Sequence, residues 1–155
     1  MAQTTVRRAT LEDVAFLSQA MHVDHLQEHP DSPNEGKASW IEGAMEATRE
    51  QVLGQVRDSV TYVIQVRVER VGRLRVVRTS DRHFVAGIQI VPDHQGEGIG
   101  TAVITDLLQE ARKRRVPLEL KVSKNNPNAE RLYLRLGFRR SGEEGNDYCM
   151  TTGSI

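Results

Sequence analysis

Three glycines in five residues stand where a buried strand turns into a helix, and few chain geometries accommodate that. The segment is Val91-Pro-Asp-His-Gln95-Gly96-Glu97-Gly98-Ile99-Gly100-Thr101. Before it, Phe84, Ala86, Ile88 and Ile90 alternate with Val85, Gly87, Gln89 and Val91, a strand apolar on both faces and therefore central in its sheet. Pro92 ends that strand because it has no N–H for the ladder. After it, Ile99, Val103, Leu107 and Ala111 recur at helical spacing, and the helix closes on the basic run Arg112 to Arg115. Glycines at such a bend let successive N–H groups point at one anion, reinforced by the positive end of the helix dipole. The loop fits a pyrophosphate; a tight turn without a ligand is the plainer alternative.

Spacing separates this loop from two familiar phosphate motifs. A P-loop requires G-x-x-x-x-G-K followed by Ser or Thr, whereas Thr101 follows Gly100 and no lysine is near. A dinucleotide fingerprint requires G-x-G-x-x-G, whereas Gly96, Gly98 and Gly100 are spaced G-x-G-x-G. Glu119 lies about 20 residues on, where a ribose-binding acid would sit, yet several strands precede the loop instead of one.

The remaining pattern is that of an α/β chain. Val6 to Arg8 reads as a first strand, and Thr10 caps a helix with Leu11, Val14, Leu17 and Met21 on one face. Pro30, Pro33 and Gly36 mark His22 to Lys37 as a loop, and Ser39 to Glu42 forms a capping box for a second helix running to about Arg57. Val60 to Val68 and Leu74 to Val77 form a hairpin turned at Gly72. Leu118, Leu120 and Val122 mark a further strand. Asn126 and Pro127 open a short helix that Gly137 stops, and Phe138 to Arg140 and Asp147 to Thr151 are two closing strands. The 155 residues suit a single domain, 1–155. A net charge of 0 argues against a general nucleic-acid binder. No apolar run is long enough to span a bilayer, and the start has no signal-peptide core, so the expected compartment is the cytoplasm. One cysteine, Cys149, excludes an internal disulfide and a cysteine-based zinc site; it reads as a small core residue.

The glycine loop does match Q/R-x-x-G-x-G/A, and Asn126-Pro-Asn-Ala129-Glu-Arg-Leu132-Tyr133-Leu-Arg-Leu-Gly137-Phe138 matches N-x-x-A-x-x-L-Y-x-x-x-G-F downstream. On these two segments the chain resembles the GNAT superfamily of acyl-CoA-dependent N-acyltransferases. The resemblance implies a mixed, mostly antiparallel central sheet of six to seven strands flanked by about four helices. It implies acetyl-CoA as acyl donor, gripped at its pyrophosphate by Gln95, Gly96, Glu97, Gly98, Ile99, Gly100 and Thr101. Its pantetheine arm would lie along the backbone of the fourth strand, Ile88, Ile90 and Val91, with Asn126 as a further partner, although helix capping alone would explain Asn126. Tyr133 would be the acid that protonates the departing thiolate, with a core tyrosine as the alternative. Some relatives carry a glutamate base on the fourth strand, but none lies between His83 and Val91, which leaves His83, Asp81, Glu119 or a water chain.

The implied activity is acetyl transfer to a primary amine; a non-catalytic acyl-CoA sensor on the same fold is the alternative, and a homodimer is compatible with either. No metal is implied. His22, His25 and His29 with Asp24 and Asp31 match no strong ligand spacing. Arg73, Arg75 and Arg78 alternate on a hairpin and read as solvated, or as a grip for an acidic substrate group. Residues 1–59 carry net −5 and the rest +5. The resemblance implies that the loop after the first helix walls the acceptor site, and Asp24, Glu28, Asp31 and Glu35 against Lys37 make it acidic, so the expected acceptor is a basic small molecule or peptide end, with an ordinary solvated loop as the alternative.

Overall fold

The β-branched run from Ser59 to Ile90 folds into three consecutive antiparallel strands, and these form the middle of a seven-stranded sheet. The computed structural model describes residues 3–29 and 36–153. In chain order the elements are β1 (Thr4–Arg8), α1 (Val14–Glu28), α2 (Lys37–Val52), β2 (Ser59–Val66), β3 (Glu69–Arg78), β4 (His83–Ile90), α3 (Ile99–Arg114), β5 (Leu118–Ser123), α4 (Pro127–Arg135), β6 (Arg139–Glu144) and β7 (Asp147–Thr151). The strand order is β1-β2-β3-β4-β5-β7-β6. Every neighbouring pair is antiparallel except β4–β5, whose parallel pairing requires the crossover that α3 supplies.

Alternation along the strands divides the packing. Ile64, Leu74, Val76 and Val85 face α3 and bury Ile99, Val103, Ile104, Leu107 and Leu108. Residues of opposite parity, Val63 and Arg73 among them, face α1 and α2, whose buried positions include Val14, Leu17, Ala20 and Ala44.

Four local expectations are corrected. The first helix does not fray at Met21 but continues to Glu28, because His22 and His25 pack on Trp40 of α2 with ring centroids 5.1 and 5.0 Å apart. Imidazoles there do the work of apolar side chains, and His22 is 4% exposed with its pKa lowered by burial. The second helix starts at Lys37, after Gly36 in the left-handed region (φ 85), so Ser39 is helical and caps nothing; the helix ends at Val52. The β2–β3 turn falls at Arg67 and Val68, with Arg67 at φ 57, while Gly72 lies inside β3. A Cβ on Gly72 would stand 2.5 Å from the Gln89 carbonyl oxygen, so that glycine serves close strand approach and not a turn. Finally, the closing strand β6 runs further than expected, to Glu144.

One polar cluster ties β1 to α1. The buried Asp13 carboxylate accepts a two-pronged contact from Arg7, Nη1 to Oδ2 and Nη2 to Oδ1, both 2.9 Å. It also accepts from the Thr10 N–H at 2.8 Å and from Arg70 Nη1 at 3.4 Å. The Arg7 contact above all holds the Asp13 pKa far below the ordinary carboxylate range, against the opposing effect of burial. A depressed carboxylate pKa adds stability above the unfolded value of about 4, and that stability is lost as pH falls through the folded value. Asp13→Asn should therefore destabilise the fold at neutral pH by about 2 kcal/mol. Urea titrations at pH 7 and below pH 4 check this: the difference between wild type and variant should shrink in acid.

Candidate functional site

Strands β4 and β5 pair at only three positions, His83↔Leu118, Phe84↔Glu119 and Val85↔Leu120, and then part. At the same point the β3–β4 register shifts, with Val76 opposite Val85 but Arg75 opposite Gly87, so Ala86 is bulged. The gap is a cleft of about 350 Å³ between the second half of β4 and the residues of β5 and α4. The Val91 N–H bonds the Val71 carbonyl at 2.9 Å, so by antiparallel alternation Ile90 and Ile88 turn their backbone groups away from β3, toward the gap. The Ile90 carbonyl is taken by Gln95 Nε2 at 2.9 Å. Open backbone positions therefore remain at Ile88 and at the Ile90 N–H, a free strand edge in the middle of a sheet. Val91, placed with them by the sequence, spends its N–H inside the sheet.

Below the cleft, Pro92–His94 form one 3-10 turn and the chain then enters α3 through Gly96 (φ 78) and Gly98 (φ 80), both in the left-handed region. None of the backbone N–H groups of residues 96–101 donates to another described residue, while Ala102 N–H already bonds Gly98 O at 3.0 Å. Gly96, Glu97, Gly98, Ile99, Gly100 and Thr101 thus present a run of unpaired donors at the start of a sixteen-residue helix. A Cβ on Gly96, Gly98 or Gly100 would meet no protein atom within 4 Å, so the space they leave open lies outside the fold's own packing. That open, donor-lined concavity fits the pyrophosphate of an acyl-CoA. His94 donates to Glu97 through Nδ1 (2.8 Å) and contacts Glu69 through Nε2, and these carboxylates raise its pKa.

Tyr133 reaches the cleft from α4, whose N-terminus is capped by Asn126 Oδ1 accepting from the Ala129 N–H at 3.2 Å. The helix stops at Gly137 (φ 103), and Phe138 N–H bonds the Tyr133 carbonyl at 3.0 Å. Tyr133 is 9% exposed, and burial, with a smaller contribution from the Asp24 charge, pushes its pKa up to about 12. It is therefore a protonated hydroxyl at neutral pH. Asn126 lines the cleft as well, with its side-chain oxygen committed to the cap.

The candidates for a base lie elsewhere. His83 is buried on the α3 side, 3.3 Å from Glu110; Glu119 is paired to Arg82; and Asp81 is an exposed turn residue. Two carboxylates line the cleft, Asp24 of α1 and Asp147 of β7, and it is the Asp24 charge that acts on Tyr133. Burial raises the Asp24 pKa, partly offset by the Gln89 amide and by Arg73. Its signal was present in the sequence: extending the first helix puts Asp24 in line with Leu17 and Ala20, a carboxylate on a buried stripe. Two arginines read as solvated also belong here. Arg75 lines the cleft, and Arg73, 3% exposed, bonds Gln89 Oε1 (2.9 Å) and Gln51 Oε1 (3.2 Å).

Residues 19–138 match the acetyltransferase (GNAT) family, and the chain belongs to that family of acyl-CoA-dependent transferases, whose acyl donor is acetyl-CoA. Among curated proteins it is similar to the ribosomal protein bS18-alanine N-acetyltransferase of Escherichia coli, 36% identical over 74 residues, 47% of this chain and 50% of that protein. The matched stretch thus spans about half the length of those relatives. Among solved structures, the PaiA N-acetyltransferase of Thermoplasma acidophilum in complex with coenzyme A superposes with a TM-score of 0.80 at 16% identity, covering 98% of this chain and 99% of that one. An aminoglycoside acetyltransferase in complex with coenzyme A gives a TM-score of 0.72 at 19% identity, covering 96% and 94%. At such identities these two likenesses establish the fold, the mixed seven-stranded sheet with four helices.

The open loop makes a clean test possible. Gly100→Asp places its Cβ in empty space and an acidic residue in the first turn of α3, where helix stability favours it. The melting temperature should be unchanged or higher, while the affinity for acetyl-CoA falls at least about tenfold, roughly 1.4 kcal/mol. Calorimetric titration of the folded variant checks it, and unchanged affinity would remove the loop from the donor site.

Proposed function

We propose that the protein transfers the acetyl group of acetyl-CoA to a primary amine through direct attack in a ternary complex, as an N-acetyltransferase. The observation that carries this reading is the position of Tyr133, a protonated hydroxyl lining the same cleft as the free edge of β4 and the carboxylate of Asp24. A thioester laid along β4 would offer its carbonyl to the free backbone donor of that edge, which stabilises the developing oxyanion. The neutral amine attacks the carbonyl carbon, the carbon–sulfur bond breaks, and the sulfur takes a proton from Tyr133. The proton lost by the amine passes to Asp24, whose raised pKa makes it a stronger base than an exposed carboxylate. Tyr133 and Asp24 are then restored by proton exchange with solvent, so one proton leaves nitrogen and one reaches sulfur.

The expected basic acceptor rested on four carboxylates. Asp31 and Glu35 lie outside the described residues, as does the Glu28 side chain, and Asp24 belongs to the cleft. A purely sensing role finds no support in a cleft that holds both an acid and a base.

Tyr133→Phe keeps the ring against Phe138 and removes the proton donor. Turnover should fall by about 10²-fold or more with little change in acetyl-CoA affinity. Full turnover would exclude Tyr133 from the chemistry. In Asp24→Asn the low-pH limb of kcat/KM, where activity rises as the carboxyl loses its proton, should disappear and leave only the limb set by the amine itself. A pH profile of thiol release from acetyl-CoA measures both.

A further inference from the structure

Two guanidinium groups, Arg75 lining the cleft and Arg73 behind it, stand against two carboxylates, Asp24 and Asp147, without forming an ion pair with either. Arg75 lines the cleft half-buried, and its one hydrogen bond among the described residues runs from Nη1 to the neutral Ser59 Oγ at 3.1 Å. Two residues back on the same face of β3, Arg73 is buried against the amide oxygens of Gln89 and Gln51, and its Nε–H has no partner among the described residues. Burial, together with Arg75 nearby, pushes the Arg73 pKa down to about 10, and burial lowers that of Arg75 as well. Neither guanidinium forms an ion pair among the described residues. Facing them, Asp24 is a single carboxylate with a raised pKa, and Asp147 lies on the other wall, in register with Ser123 of β5. The Asp24 charge acts on Arg73 without a direct contact, whereas the half-buried Arg75 fork is bonded only to a neutral hydroxyl, and a guanidinium matches a carboxylate in two-pronged geometry.

We infer that the acceptor is an amino-carboxylate, a small molecule that brings its own carboxylate to Arg75 while presenting its amine toward Asp24 and Tyr133. The inference rests on the acetyl-transfer reading above and deepens it. It replaces a polycationic acceptor with a zwitterionic one: Arg73, fixed behind Arg75, keeps the local potential positive, and Asp24 draws the ammonium end. Arg75 is then a specificity-determining residue for the transfer, acting on the acceptor's carboxylate and not on the bond that breaks.

The experiment is a matched panel with acetyl-CoA: the standard amino acids, the same amino acids as carboxamides, and a linear polyamine, followed by thiol release. For the best amino acid, kcat/KM should exceed that of its carboxamide by at least about tenfold, and the polyamine should be poorer still. In Arg75→Gln the preference for carboxylate over carboxamide should collapse toward unity, chiefly through the acceptor KM, with acetyl-CoA affinity unchanged. Arg75→Lys, which keeps the charge without the fork, should retain part of the preference. Equal or better turnover of carboxamides or the polyamine by the wild type would overturn this inference and leave acetyl transfer standing. Acetyl-CoA binding without transfer to any amino acid of the panel would likewise overturn this inference, whereas failure to bind acetyl-CoA at all would overturn the transfer reading itself. The wild-type comparison decides the matter even if an Arg75 variant fails to fold.

Discussion

The parting of β4 and β5 after Val85 is the constraint on which the site depends. A parallel pair in the middle of a sheet normally satisfies its backbone along its whole length, and here the ladder stops after three residue pairs. Two features accompany the separation: the Ala86 bulge turns β4, and β5 continues its pairing with β7 through Ser123. The backbone groups left open at Ile88 and Ile90 are not a defect, because an extended chain added to that edge would restore the missing ladder. The glycine loop lies directly beyond the end of the same strand, so a single β4–α3 connection sets the distance between the strand-like subsite and the anion subsite.

The two walls of the cleft differ in kind. On the proposed donor side, recognition would be written in backbone N–H groups, which carry no side-chain identity and require only that Gly96, Gly98 and Gly100 stay small. On the proposed acceptor side it would be written in charged and amide side chains carried by three separate elements, Asp24 on α1, Arg73 and Arg75 on β3 and the neutral Gln89 on β4. A family can therefore keep its donor while its acceptors diverge. The matched residues 19–138 include both the glycine loop and α4, and the structural likenesses at 16 and 19% identity speak for the fold alone.

This division also explains what could be read in advance. The donor framework is local in sequence: the Gln95–Gly100 spacing, the central β4 pattern and the Asn126–Phe138 segment each announce themselves within a dozen or so residues. The acceptor wall is not local. Arg73 alternates like any hairpin arginine, and only the docking of α2, which brings Gln51 over it, makes it a buried cation. Asp24 was hidden by the histidines around it, since His22 and His25 look polar in sequence but stack on Trp40 and let the helix run on. The misplaced hairpin turn has a similar cause: Gly72 resembles a turn residue, whereas the approach of the Gln89 carbonyl is what excludes a side chain there.

Gly87 and Arg73 form one unit across β3 and β4. A Cβ at position 87 would lie 2.5 Å from Arg73 Nη1, so the missing side chain of one residue is the room occupied by the charge of the other. A side chain at 87 would require the Arg73 guanidinium to swing aside, and a shorter residue at 73 would leave a hole beneath the cleft floor. The glycine thus sets where the positive charge behind the cleft can sit.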